Sequence, residues 1–447
     1  MKTFEELGIK MPEVLLPENI NTEKWAVIAC DQYTQNCEYW KKVEENANGS
    51  PSTLNLILPE IYLNAENKKK RIEKIRSEMK KYLKDGIFAP AKKEFIYIER
   101  QTAFGRNRHG LLAAIDLDCY EWKPMSKALI RATEATILER IPPRMEIRKG
   151  AALELPHIML LVNDPEHILV EATGDEVKKQ GTKPVYSGKL MQNGGSITGW
   201  PVNQEEIVSG LEKKLNTIAQ ANTEKDGSVF LFAVGDGNHS LATAKAVWEE
   251  HKAELAKSGK SKEEIESSPV RYAMVEIVNL YDTGLTFEPI HRVIFNADSE
   301  KLISFLKTEL NGTVSESKNE NTLAVEVKDS SKGANFGFCH TENGKTKYEL
   351  LSTGIKELAV ARLQPVLDKF IEQENKNGAN IQIDYIHGEE ELFSLGKKQA
   401  STALLLPPIS KDSFFATING RGPLPRKSFS MGEADEKRFY MECRQLF

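Results

Sequence analysis

The sequence predicts a mixed α/β fold, α+β in its sheet connectivity, and three observations carry that expectation. Short apolar runs of buried-strand length, such as residues 156–162 and 229–234, recur along the chain. Between them lie stretches with apolar residues at helical spacing, as in 65–83 and 205–219. Where one apolar run ends, Gly235-Asp236-Gly237 turns the chain straight into a helical pattern of Leu241, Ala244, Val247 and Trp248, so a helix is expected to start near Ser240.

Taken in order, residues 25–30 read as a strand ending at Asp31, followed by a helix carrying Tyr39, Trp40 and Val43. The lysine-rich start of 65–83 is diluted by Glu66, Glu73 and Glu78 and reads as a solvated helix face. Residues 95–100 and 110–117 flank a basic hairpin tip at 104–109. Pro143 opens a helix that sets Arg144 and Arg148 on one face. A second hairpin over 184–200 turns at Asn193-Gly194-Gly195. Residues 271–280 and 284–295 are strand-like, and 299–310 is helical.

The polar stretch 311–321 marks the expected boundary, giving a core over 1–310 and a C-terminal α+β region over 322–447. In that second part 323–327, 335–339 and 347–351 alternate like antiparallel strands. Helices follow at 355–372, 389–397 and 411–418, with a strand at 403–406.

At 447 residues the chain can bury a large core, and its net charge of −5 offers no general attraction to nucleic acid or anionic lipid. Neither a nucleic-acid nor a membrane partner is therefore expected. The five cysteines are scattered, with no C-x-x-C pair, which argues for a reducing cytoplasm and against a disulfide framework or zinc site. The first residues lack the apolar core of a signal peptide, and no apolar run has membrane-spanning length. The common nucleotide, kinase and hydrolase fingerprints are missing as well.

The chemistry concentrates at residues 235–240. A turn needs glycine and an Asx residue, but not Asp236, Asn238, His239 and Ser240 within five positions. A helix N-terminus beside them suits phosphate. Gly235, Gly237, Asn238 and Ser240 are thus candidate phosphate contacts, with Asp236 as metal ligand or base and His239 beside it. Arg131, Arg144, His291, Arg292 and Lys427, with Ser428, are candidate anion contacts elsewhere, and Glu134 is a spare carboxylate. For each arginine alone, pairing with a surface glutamate is as good a reading.

With these motifs in hand, the chain resembles the bacterial and archaeal family catalogued as domain of unknown function 1015. The likeness rests on Asp236-Gly237-Asn238-His239-Ser240, Arg131 with Glu134, Pro289-Ile290-His291-Arg292, Leu405-Leu406-Pro407-Pro408 and Leu424-Pro425-Arg426-Lys427-Ser428. The familiar form of the first motif is D-G-H-H-R, so Asn238 and Ser240 are departures, and no arginine contact is carried over there. The aromatic run that often follows Pro-x-Lys-Ser is replaced by Met431-Gly432-Glu433-Ala434. That family in turn looks like a distant relative of the fold shared by the ParB N-terminal domain, sulfiredoxin and free-serine kinases. The resemblance implies a ParB/sulfiredoxin-like core with large insertions, and phosphate binding at 235–240.

Two functional readings follow. The first is phosphoryl transfer on a small hydroxylated metabolite, with free serine or phosphoserine the first substrate, Mg²⁺ as cofactor and a nucleotide or pyrophosphate donor. The second is a nucleotide-binding, ParB-like regulatory or DNA-associated protein; the acidic balance and the missing helix-turn-helix pattern weigh against it. Sulfiredoxin-like chemistry is excluded because residues 235–240 contain no thiol.

Overall fold

The computed structural model describes residues 1–19 and 21–447. The chain forms two units: Met1–Leu285 together with Gly432–Phe447, and Thr286–Met431. The first unit is therefore interrupted by the second, whereas the polar stretch 311–321 had marked the expected boundary. That stretch is polar for a local reason. It holds a turn at Asn311 (φ 52°), the edge strand Thr313–Glu316 and the Asn319 cap of the next helix.

The first unit is built on a ten-stranded mixed sheet. Its spatial order is Tyr186–Lys189, Ser196–Val202, Phe95–Gln101, Asn107–Asp116, Tyr272–Asn279, Met159–Val162, Phe232–Asp236, Ile130–Arg131 and Tyr120–Glu121, with Ile9–Lys10 paired to Asn107–Asp116. Both expected hairpins form here. Met159–Val162 runs parallel to Tyr272–Asn279 and antiparallel to Phe232–Asp236, which runs parallel to Ile130–Arg131. Both faces are covered, which is why the strands read as unbroken apolar runs. Successive side chains alternate between two cores: Phe95, Tyr97, Leu111 and Ala113 enter one, and Ile96, Ile98, Leu112 and Met274 the other.

The helix Asn238–Lys257 follows Phe232–Asp236 and buries Leu241, Ala244, Val247 and Trp248 in the first of these cores. Each large apolar side chain so buried contributes about 1.5–3 kcal/mol. Trp248 also donates its indole N–H to Asp118 at 2.9 Å, so the anchor is polar as well as apolar.

The last residues are part of this unit. Phe439–Tyr440 pairs with Val27–Ile28, and Arg444–Gln445 with Leu153–Glu154. Arg438 is 1% exposed and bonds Glu276 at 2.7 Å and Glu442 at 2.8 Å. Arg444 bonds Glu154 at 2.6 Å and the Tyr272 carbonyl at 2.8 Å. Charges this deeply buried are tolerated because each guanidinium meets carboxylate or carbonyl oxygen.

The second unit is a six-stranded antiparallel sheet ordered Thr313–Glu316, Lys345–Ser352, Asn335–Glu342, Ser401–Leu405, His291–Phe295 and Gln382–Ile386. One expectation is overturned: residues 323–327 are not a strand but lie in the helix Glu320–Lys328. The Asn319 side chain accepts the Thr322 N–H at 2.9 Å, and Leu323, Ala324 and Val327 bury one helical face while Val325 is exposed. The strand Gln382–Ile386, with charged Asp384 between apolar residues, had given no clear signal.

Candidate functional site

The strand Phe232–Asp236 passes into its helix through one residue, Gly237, at φ 83°. A Cβ at that position would lie 3.0 Å from Ile158 Cγ1 and 3.2 Å from Ile158 Cα. Both the left-handed backbone and the tight contact require glycine. The helix begins at Asn238, two residues before the expected start. Asn238, His239 and Ser240 thus form its first three positions, where the amide N–H groups have no carbonyl one turn earlier to bond.

These residues fan out in different directions, as successive helical positions must. Asn238 exchanges two hydrogen bonds with Thr133, one with its N–H and one with its hydroxyl, each 3.2 Å long. The Thr133 hydroxyl in turn donates to the Val234 carbonyl at 2.6 Å. His239 Nε2 accepts the Ile137 N–H at 3.3 Å. Ser240 Oγ is 2.8 Å from His157 Nε2, and His157 Nδ1 is 3.0 Å from the Tyr440 hydroxyl. Asp236, before the turn, accepts the Gly237 N–H at 3.0 Å through Oδ1, while its Oδ2 lies 3.3 Å from Lys437 Nζ.

The other expected contacts lie apart from this arrangement. Arg131 pairs opposite Ala233; its Nε donates to the Ala128 carbonyl at 2.8 Å and its guanidinium covers the Phe230 ring. Glu134 lies half-buried between that strand and the helix Ile141–Arg148. Arg144 binds Glu60 at 2.8 Å and Arg148 binds Glu154 at 2.5 Å, each a glutamate partner. His291, Arg292, Lys427 and Ser428 belong to the second unit. His291 is buried and accepts the Leu406 N–H at 3.2 Å, and burial pulls its pKa down to about 4. Arg292 is fully buried, donating to Gln364 at 3.0 Å and to the Ile290 carbonyl, and burial lowers its pKa to about 10. Ser428 donates to the Pro425 carbonyl at 2.5 Å, and Lys427 is an exposed turn residue at φ 57°.

Sequence reasoning missed Lys437, His157 and Tyr440. Only His157 carried a local hint, standing between Pro156 and a buried strand. Lys437 and Tyr440 are brought to the turn by pairing of the chain's last residues, which no local pattern announces.

Among the described residues, no group of three or more His, Cys, Asp or Glu side chains is arranged to hold a metal ion. The charged group facing Asp236 Oδ2 is the Lys437 ammonium, 3.3 Å away. No helix among the described residues is long and apolar enough to cross a membrane.

The chain belongs to the family described as a protein of unknown function, DUF1015, which matches residues 16–370. No curated protein matches it. Among solved structures it is similar to a free serine kinase variant in complex with AMP, at 11% identity and a TM-score of 0.37, covering 75% of this chain and 92% of the other. A conserved hypothetical protein from Pyrococcus furiosus is 12% identical, with TM-score 0.35 and coverages of 75% and 97%. SbnI from Staphylococcus aureus, truncated at its C-terminus, is 10% identical, with TM-score 0.33 and coverages of 72% and 83%. All three likenesses are distant.

Proposed function

We propose that the first unit transfers a phosphoryl group to or from a small hydroxylated metabolite at the turn formed by residues 235–240. The observation that carries this reading is the Asp236–Lys437 pair, 3.3 Å apart and largely buried, beside the start of a 20-residue helix. An ammonium and the amide N–H groups of a helix start are what phosphate oxygens need, and a carboxylate next to them is placed to take the proton of an attacking hydroxyl or water. In the forward step the hydroxyl oxygen bonds phosphorus, its proton passes to Asp236, and the donor's bridging oxygen leaves with the electron pair. Lys437 and the helix N-terminus balance the charge that develops.

Serine and phosphoserine are the first substrates to test, against ATP, ADP and pyrophosphate, with and without Mg²⁺, followed by phosphorus NMR of the intact protein's reaction. A new phosphomonoester signal, or its loss from phosphoserine, is the expected result. The reading fails if no combination transfers phosphate and none of the phosphate compounds raises the melting temperature.

A further inference from the structure

In the same helical turn, Ser240 lines a cavity of about 140 Å³ that the phosphoryl reading does not use. Leu56, Leu58, Met79, Ile147 and Leu155 supply much of its wall. Its charged lining residues are neutralised in pairs, Arg144 with Glu60 and Arg148 with Glu154. An apolar cavity of about this volume holds a benzene-sized group. His157, Tyr440 and Cys30 complete the polar end.

The hydrogen bonds at that end run in series from Ser240 through His157 to Tyr440. The Tyr440 hydroxyl accepts the Cys30 N–H at 3.1 Å and lies 3.0 Å from His157 Nδ1. Burial pushes the Cys30 thiol up, so it stays neutral. The tautomer that would activate Ser240 carries its proton on Nδ1, with the Tyr440 oxygen as its acceptor. In that tautomer Nε2 accepts the Ser240 hydroxyl, whose oxygen is 2.8 Å away. Nucleophile, base and orienting group are thus in series, which is the arrangement that activates a serine. The Ser240 amide N–H, at the third helical position, is among those lacking a helical acceptor and is placed to stabilise an oxyanion on an attacked carbonyl.

We propose that Ser240 is the nucleophile of an acyl-transfer site that hydrolyses esters of small apolar carboxylic acids, with His157 as its base and Tyr440 as a positioning residue. Ser240 Oγ bonds the ester carbonyl carbon as its proton moves to His157 Nε2. The tetrahedral centre collapses, the alcohol leaves with that proton, and the acyl group remains on Ser240. Water then gives a proton to His157 and attacks the acyl carbon; the acid is released and Ser240 regains its hydroxyl proton. The cavity receives the acyl chain. This activity goes beyond the phosphoryl reading and does not need it, since that reading takes its base and cation from Asp236 and Lys437 and shares only the helix N-terminus.

The test treats the full chain with a fluorophosphonate probe, maps the adduct by peptide mass spectrometry, and follows hydrolysis of p-nitrophenyl butyrate, hexanoate and palmitate. An adduct on Ser240 is expected, with butyrate and hexanoate cleaved in preference to palmitate. Ser240→Ala and His157→Ala should each lower the rate by about 10²-fold or more. Tyr440→Phe should lower kcat more than it raises KM and displace the pH–rate profile. No adduct at Ser240, or equal hydrolysis by wild type and Ser240→Ala, overturns the proposal. Should Ser240→Ala fail to fold, adduct mapping on the wild type decides alone. Neither result bears on phosphoryl transfer, which is read with different substrates.

Discussion

Lys437 holds its ammonium 3.3 Å from the carboxylate of Asp236, so the glycine turn is completed by a residue from the far end of the chain. The pair is the sharpest point at which to separate function from fold. Asp236→Asn keeps the acceptor for the Gly237 N–H and removes only the charge. Phosphoryl transfer should fall by about 10²-fold or more, while the melting temperature scarcely moves. Lys437→Met should weaken protection by phosphate compounds in the same melt. An Asp236→Asn protein with full activity would remove the turn from the mechanism.

Gly237→Ala is expected to act the other way round. The new Cβ would sit at φ 83°, 3.0 Å from Ile158 Cγ1. Backbone strain of this type costs about 1–3 kcal/mol. Urea unfolding should show a lowered midpoint, and activity per folded molecule should fall only as far as the turn shifts.

Arg438→Met should be the most damaging of the substitutions considered. It leaves Glu442, 0% exposed, without its guanidinium, and Glu276, 2% exposed, with Arg108 at 3.6 Å. Removing one partner of a buried charge set costs about 3–5 kcal/mol, measurable by chemical denaturation. A loss below about 1 kcal/mol would contradict this buried network.

The second unit carries a pH signature. Burial, then the neighbouring charges of Arg292, His387 and Lys328, lowers the His291 pKa from 6.5 to about 4. The unfolded chain therefore binds a proton that the folded one refuses between those values. Stability is full above pH 6.5 and declines as pH falls toward about 4, by roughly 3 kcal/mol from this group. His291→Gln, followed by denaturation at several pH values, should flatten that part of the profile.

Much of the architecture was legible because burial imposes a period. Phe95–Gln101 and Asn107–Asp116 alternate between two cores, and Lys68–Lys84 keeps Ile72, Ile75, Met79 and Tyr82 on one side. The same logic misled at 323–327, where Leu-Ala-Val-Glu-Val fits both periods and only the Asn319 cap decides for helix. The turn at 235–240 was legible because glycine, an acid and a helical pattern are adjacent in the chain. Its partners were not. His157, Lys437 and Tyr440 reach it through pairing between distant segments, which leaves no trace in local spacing. The division at 285 and 432 was hidden too, because neither point carries the polar composition that marks a linker.

That interruption sets an order of events during synthesis. The ribosome releases Thr286–Met431, which has its own sheet and core, before it releases Phe439, Tyr440, Cys443 and Leu446, which fill the core of the first unit. The later-encoded unit can therefore fold while the earlier one still waits for its closing residues. A message cut short between the two leaves a chain whose second unit is whole and whose glycine turn lacks both its ammonium and its tyrosine.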